Sequence, residues 1–239
     1  MTGLDQIVAA VTGGSKGIGL AVAEALVRRG ASVAIGARTE SEVRRAAAAL
    51  NEAGPGRAAG FVCDVRRPED CEALVGGAAE SFGRLDLLVN NAGLGVFAPV
   101  AEMAPEAWLQ QIETNLNGVF FCSRAAIPRM RERGGWIINI GSLAGKNAFP
   151  GGAAYNATKF GLIGFSEALM QEVRHDGIRV SLIMPGSVAT HFNGNVPSGA
   201  DDWKMQPEDV ARVVLDLLAF PDRTLPSRIE MRPSRPPRK

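Results

Sequence analysis

Short, nearly unbroken apolar runs alternate with longer helical stretches along this chain, and that alternation leaves few folds open. Ile7–Val11, Ser32–Ala37, Gly60–Cys63, Leu85–Asn90, Trp136–Ile140 and Ile178–Met184 read as strands, with a last short one at Ser227–Met231. Between them, Leu20–Arg29, Glu40–Glu52, Pro68–Phe82, Pro105–Arg133, Tyr155–His175 and Gln206–Ala219 carry helical patterns. The long 105–133 segment is expected to bend before Pro128. Strands apolar on both faces suit a parallel sheet covered by helices on either side. The expected fold is therefore α/β, a doubly wound parallel sheet. No internal linker or repeat divides the 239 residues, so 1–231 is expected to form a single domain. The loop-rich segment 187–206 would be a mobile substrate lid, and 232–239 a basic, Pro-rich, solvated tail.

Composition narrows the function classes. A formal net charge of +1 gives no electrostatic footprint for nucleic acid, and no nucleic-acid partner is expected. Cys63, Cys71 and Cys122 are odd in number and lack a C-x-x-C, which points to free thiols in a reducing compartment. His175 and His191 are too few and too scattered for a zinc site, so no metal is expected. No run approaches the roughly 18 apolar residues of a membrane span, and Ile7–Val11 is too short for a signal segment. The expectation is a cytoplasmic protein without a membrane partner.

Thr12–Gly19 reads T-G-G-S-K-G-I-G between the first strand and the first helix. Gly13, Gly17 and Gly19 let the backbone turn sharply and approach a pyrophosphate, whose charge the helix N-terminus meets. By itself this loop is also compatible with a plain tight turn. A Walker A loop is excluded, because Leu20 follows Gly19. The second strand ends G-A-R-T, with Arg38 where an acidic residue would select NAD(H). Arg38, with Lys16 in the loop, suits the 2′-phosphate of NADP(H).

Tyr155 and Lys159 stand four residues apart on one helix face, with Ser142 upstream in I-G-S-L-A-G. A free tyrosine pKa of about 10 is too high for a base at neutral pH. A nearby ammonium and a positive nicotinamide would favour the phenolate. Ser142 can donate to a substrate oxygen. Asn115 could hold a helix irregularity and a water linking Lys159 to solvent. The surroundings of Ser142 do not form a hydrolase nucleophile elbow.

These motifs, together with C-D-V (Cys63–Val65), N-N-A-G (Asn90–Gly93) and P-G-S-V-A-T (Pro185–Thr190), resemble the short-chain dehydrogenase/reductase family in order and over most of the chain. The resemblance implies a Rossmann-type fold. It implies catalysis by Asn115, Ser142, Tyr155 and Lys159. Asp64 and Val65 would flank the adenine, and Ser15 and Ile18 complete the phosphate loop. Asn90, Asn91, Ala92 and Gly93 would support the sheet and line the adenosine side. Lys159 and Tyr155 would also meet the nicotinamide ribose, and Pro185, Gly186, Val188 and Thr190 the carboxamide end. The ending L-P-S-R-I-E-M-R-P-S-R-P departs from the glycine-rich last strand of the family's 3-oxoacyl-carrier-protein reductases.

The expected activity is NADP(H)-dependent, reversible reduction of a ketone or aldehyde. The alternative is a dinucleotide-binding sensor or scaffold without turnover. Leu94, Val96, Leu143, Phe149, Ser187 and Phe192 are candidate substrate-pocket walls, with Leu94–Phe97, Ala144 and Met184 beside them and Trp203 as a lid residue. They suggest a mainly apolar small-molecule substrate. Apolar residues in excess of one buried face on Tyr155–His175 suggest a homodimer or homotetramer.

Overall fold

A computed structural model describes residues 4–196 and 198–237. Pro197 of the expected lid, and Arg238 and Lys239 of the expected tail, lie outside the described residues. Seven strands form one parallel sheet: β1 (Val8–Thr12), β2 (Ser32–Ala37), β3 (Arg57–Val62), β4 (Leu87–Asn90), β5 (Gly135–Ile140), β6 (Ile178–Pro185) and β7 (Arg228–Met231), in the spatial order β3-β2-β1-β4-β5-β6-β7. The order reverses beside β1, so the connections leaving β1 and β4 run to opposite faces of the sheet and open a crevice at its C-terminal edge. That crevice is where a doubly wound sheet binds ligands.

The helices are α1 (Gly17–Val27), α2 (Glu40–Ala53), α3 (Pro68–Phe82), α4 (Pro105–Ile112), α5 (Gly118–Met130), α6 (Ala153–Val173) and α7 (Pro207–Leu218). On one face α1 and α7 bury Leu26, Val214 and Leu217 with Val11 and Ile138 of the sheet. On the other, α3 and α5 bury Leu74, Cys122 and Met130 with Leu88 and Ile137. Covering both faces explains why the inner strands β1 and β4 are buried at every position. By contrast β3, at the edge, alternates exposed and half-buried residues and begins at Arg57, before the apolar run that marks it in the sequence.

The long helical stretch is interrupted earlier than Pro128 would suggest. A π-helical segment at Glu113–Asn117 separates α4 from α5, and α5 continues through Pro128 to Met130. Among the described residues, no helix is long and apolar enough to cross a membrane, and no cluster of His, Cys, Asp and Glu could hold a metal ion.

Candidate active site

The loop after β1 is built for a close approach. Gly13 and Gly17 take φ +63° and +57°. A Cβ on Gly19 would lie 2.4 Å from both the Gly13 carbonyl oxygen and Asn91 Nδ2. Lys16 caps α1 without a side-chain hydrogen bond. The first N–H groups of α1 therefore meet no side-chain cap and suit an anion. Glycines where side chains cannot fit, ahead of an uncapped helix, match the pyrophosphate of a dinucleotide.

Asn91 fixes this loop from behind. Its Nδ2 donates to the carbonyls of Thr12 and Gly13 at 2.9 and 3.2 Å, while the backbone N–H groups of Asn91 and Ala92 donate to Thr12 Oγ1 at 2.9 and 3.0 Å. The amide nitrogen of Asn91 thus shapes the loop. Asn90 points into a buried polar row, donating to Ser123 Oγ and Asn139 Oδ1.

Just past the end of β2, Arg38 is exposed and forms no ion pair among the described residues. Lys16 is paired instead with Glu42, at 3.5 Å. Asp64 is gripped by Arg66 through both carboxylate oxygens, and this hydrogen bonding holds its pKa below the ordinary value. Val65 is buried against Gly118. At the opposite end, Thr190 approaches Gly17, whose Cβ would sit 3.5 Å from Thr190 Cγ2. The Pro185–Thr190 segment therefore reaches the glycine loop across the crevice. Ser15 and Gly93 lie within the connections that line it, Ile18 lies in the first turn of α1, and Val188 pairs with Met205 to close the base of the long loop.

The catalytic candidates converge. Tyr155 is 9% exposed and Lys159 6%. Lys159 Nζ lies 5.6 Å from the Tyr155 ring centroid and donates to the Ile140 carbonyl at 3.1 Å. Burial pushes the lysine down to about 8. Burial also raises Tyr155, while a hydrogen bond with the Ser142 side chain pulls the other way. Desolvation, which disfavours the charged form of each group, thus dominates at both. Ser142 Oγ also accepts from Ala144 N at 3.1 Å, and so starts the short 3₁₀ turn Leu143–Gly145.

Asn115 sits inside the π segment, where the extra residue per turn re-aims side chains. Its Oδ1 accepts from Leu94 N at 2.9 Å, and its Nδ2 donates to Leu94 O at 2.8 Å and Thr158 Oγ1 at 3.1 Å. A Cβ on Gly93 would come 3.3 Å from Asn115 Oδ1 and 3.9 Å from Lys159 Nζ. The absence of a side chain at Gly93 keeps that gap open.

Two holding residues were missed in the sequence: Gln111, which belongs to no motif, and Asn156, which lies inside Y-N-A-T-K. Gln111, fully buried, brackets Val96 as Asn115 brackets Leu94, accepting from its N–H at 3.1 Å and donating to its carbonyl at 3.3 Å. Asn156 donates to Ala144 O at 2.6 Å and accepts from Phe149 N at 3.3 Å, so it ties the Ser142–Phe149 loop to α6. The only available signal for Gln111 was a second amide four residues before Asn115.

Of the pocket candidates, Phe149 and Phe192 join Phe97 around Tyr155, while Leu94 and Val96 lie on the bracketed loop and Leu143 against Gly186. Ser187 is exposed at the loop base, where its carbonyl accepts from Met205 N. Trp203 is half-buried beside Lys204 and has no ring contact with the Tyr155 group.

The short chain dehydrogenase family model matches residues 7–201. The chain is 38% identical over 223 residues to a 3-oxoacyl-[acyl-carrier-protein] reductase of Rattus norvegicus, covering 90% of this chain and 92% of that protein. It is similar to an alcohol dehydrogenase of the archaeon Thermococcus sibiricus solved with 5-hydroxy-NADP (TM-score 0.91, 30% identity, 98% of this chain and 99% of the other). It is also similar to a metagenomic short-chain oxidoreductase in complex with NADP (TM-score 0.83, 38% identity, 96% and 98%). With the fold, the glycine loop and the Ser-Tyr-Lys group in place, the chain belongs to the short-chain dehydrogenase/reductase family of oxidoreductases.

Proposed function

We propose that the protein is an NADP(H)-dependent carbonyl reductase that converts a ketone or aldehyde to an alcohol, reversibly. The observation that carries this reading is the buried Tyr155 phenol, with the Ser142 side chain beside it and Lys159 Nζ 5.6 Å from its ring centroid. Bound NADPH would supply the hydride. Tyr155 donates its proton to the substrate oxygen as negative charge develops there. A phenol raised by burial is protonated at neutral pH, the form that reduction needs. Ser142 steadies the same oxygen by hydrogen bonding. Lys159, anchored on Ile140 O, supplies positive charge beneath Tyr155 and orients the ribose, and Asn115 holds the relay to solvent.

The NADP(H) preference rests on the exposed, unpaired Arg38 and agrees with the ligands of the solved relatives. A charge-assisted hydrogen bond is worth about 1.5–3 kcal/mol, so Arg38→Ala should raise KM for NADPH about 10- to 150-fold and leave NADH nearly unchanged. Lys16 contributes less, since Glu42 already holds it. The decisive experiment follows NADPH oxidation with a broad panel of ketones and aldehydes. Cofactor binding without turnover on any of them would favour the sensor reading. Phe120 and Phe160, each 46% exposed, mark α5 and α6 as the face for a homodimer or homotetramer. Light scattering at micromolar concentration tests this, and a monomer would refute it.

A further inference from the structure

Three phenylalanines from separate segments meet at the proposed proton donor. The Phe97 ring stands 5.7 Å from Tyr155 at 90°, Phe192 lies 5.6 Å from Tyr155 at 55°, and Phe149 lies 5.5 Å from Phe97 at 65°. Phe97 comes from the loop after β4, Phe149 from the loop after β5, and Phe192 from the loop after β6. Gly95 makes their closeness possible. A Cβ there would lie 2.9 Å from Cζ of both Phe97 and Phe192.

Phe97 and Phe149 nevertheless remain 41% exposed. Their backbones are held, with Ala98 N donating to Gly151 O at 2.9 Å and Phe149 N to Asn156 Oδ1. These are rigidly mounted rings left partly bare beside a reactive hydroxyl. The charged groups around them are committed elsewhere. Lys159 is beneath Tyr155 on Ile140 O, Lys146 is paired with Glu230 at 2.8 Å, and Lys204 is paired with Asp201. Among the described residues, both lysines on these loops are ion-paired and no arginine lies on them, which leaves His191 as the one basic side chain there without a salt bridge to a carboxylate.

We propose that the preferred substrate is an uncharged ketone bearing an aromatic or fused-ring group, which stacks among Phe97, Phe149 and Phe192 while its carbonyl meets Tyr155. This rests on the carbonyl-reductase reading above. Aromatic rings favour offset or edge-on partners at centroid distances of about 4.5–7 Å, the spacing these rings already adopt with one another. Phe192 rides on the long loop, so a ring entering the slot also gives that loop a surface to close on.

The test compares an aryl methyl ketone with its cyclohexyl analogue, nearly equal in size and apolarity, in the wild type and in Phe97→Leu. Leucine keeps much of the bulk and removes the ring. The proposal expects kcat/KM for the aryl ketone to fall about 2- to 12-fold, the worth of an aromatic pair beyond its area, through KM more than kcat. The cyclohexyl ketone should change less than about 2-fold. Equal losses on both ketones, or a wild-type preference for a 3-oxo carboxylate over the aryl ketone, would overturn it. Calorimetric binding of the aryl alcohol separates this inference from the one beneath it. If no carbonyl compound is turned over, the reductase reading fails. Aryl-alcohol binding that Phe97→Leu weakens would still support the slot, and unchanged or absent binding would sink it.

Discussion

The loop after β1 and the loop after β6 both project from the C-terminal edge of the sheet, yet they are held in opposite ways. Thr12–Lys16 is held through its first three residues: Thr12 is 2% exposed, four hydrogen bonds join Thr12 and Gly13 to Asn91 and Ala92, Gly14 N donates to Gly36 O, and glycine occupies the tight positions. Ser187–Gln206 is tied at its base, where Met205 N donates to Ser187 O and Ala189 N to Met205 O. Beyond that it turns through Asn193, a non-glycine residue at φ +57°, and touches the catalytic group through Phe192. The first loop has one shape, dictated by backbone contacts and suited to an unvarying pyrophosphate. The second has fewer ties to the sheet among the described residues, an attachment that would suit a part meeting a substrate.

The largest expected effect falls where the two loops converge. Tyr155→Phe should lower kcat by about 10²–10⁴ and leave NADPH affinity nearly unchanged, because neither loop loses a support. Stopped-flow turnover beside a fluorescence titration checks both halves. A Phe variant with most of the wild-type rate would remove Tyr155 from the chemistry.

Lys159 should show its cost in stability. Its folded pKa of about 8 lies below the ordinary lysine value of 10.5. Below pH 8 it is protonated in both states, so the burial cost is fully present. Between about 8 and 10.5 the unfolded chain binds more protons than the folded one, so stability rises with pH. Lys159→Met should therefore stabilise the protein by about 3 kcal/mol at pH 7, with the gain fading toward pH 10.5, while turnover is lost. Urea unfolding at several pH values measures this. A gain independent of pH would mean that Lys159 is not strained by burial.

The loops themselves can be set against each other with one added methyl group. Gly19→Ala drives a Cβ into the Gly13 carbonyl and should cost about 1–3 kcal/mol, seen as a lower Tm and weaker dinucleotide binding. Gly199→Ala in the long loop meets nothing within 4 Å and should stay within about 0.5 kcal/mol. Equal effects in thermal melts would erase the distinction between a built loop and a tethered one.

Much of this was legible in the sequence because it depends on periodicity and on residues whose chemistry has few substitutes. Apolar runs marked most of the strands, Gly13–Gly19 the phosphate loop, and Tyr155 with Lys159 a shared helix face. What the sequence left open depends on neighbours distant along the chain. Lys16 reads as a phosphate ligand, and no local pattern shows that Glu42 of α2 stands 3.5 Å from its ammonium. Asn91 reads as a cofactor contact, and only the fold shows that its amide also braces Thr12 and Gly13, 79 and 78 positions away. Gln111 looked like any helical glutamine, yet it is the buried clamp on Val96. The aromatic slot is another product of folding, since Phe97, Phe149 and Phe192 are separated by dozens of residues and meet where three strands end. Local pattern determined which elements form, because backbone geometry and burial act over a few residues. Tertiary structure decided the partner of each polar group and the group on which each burial cost falls, because hydrogen bonding and desolvation depend on everything packed around a side chain.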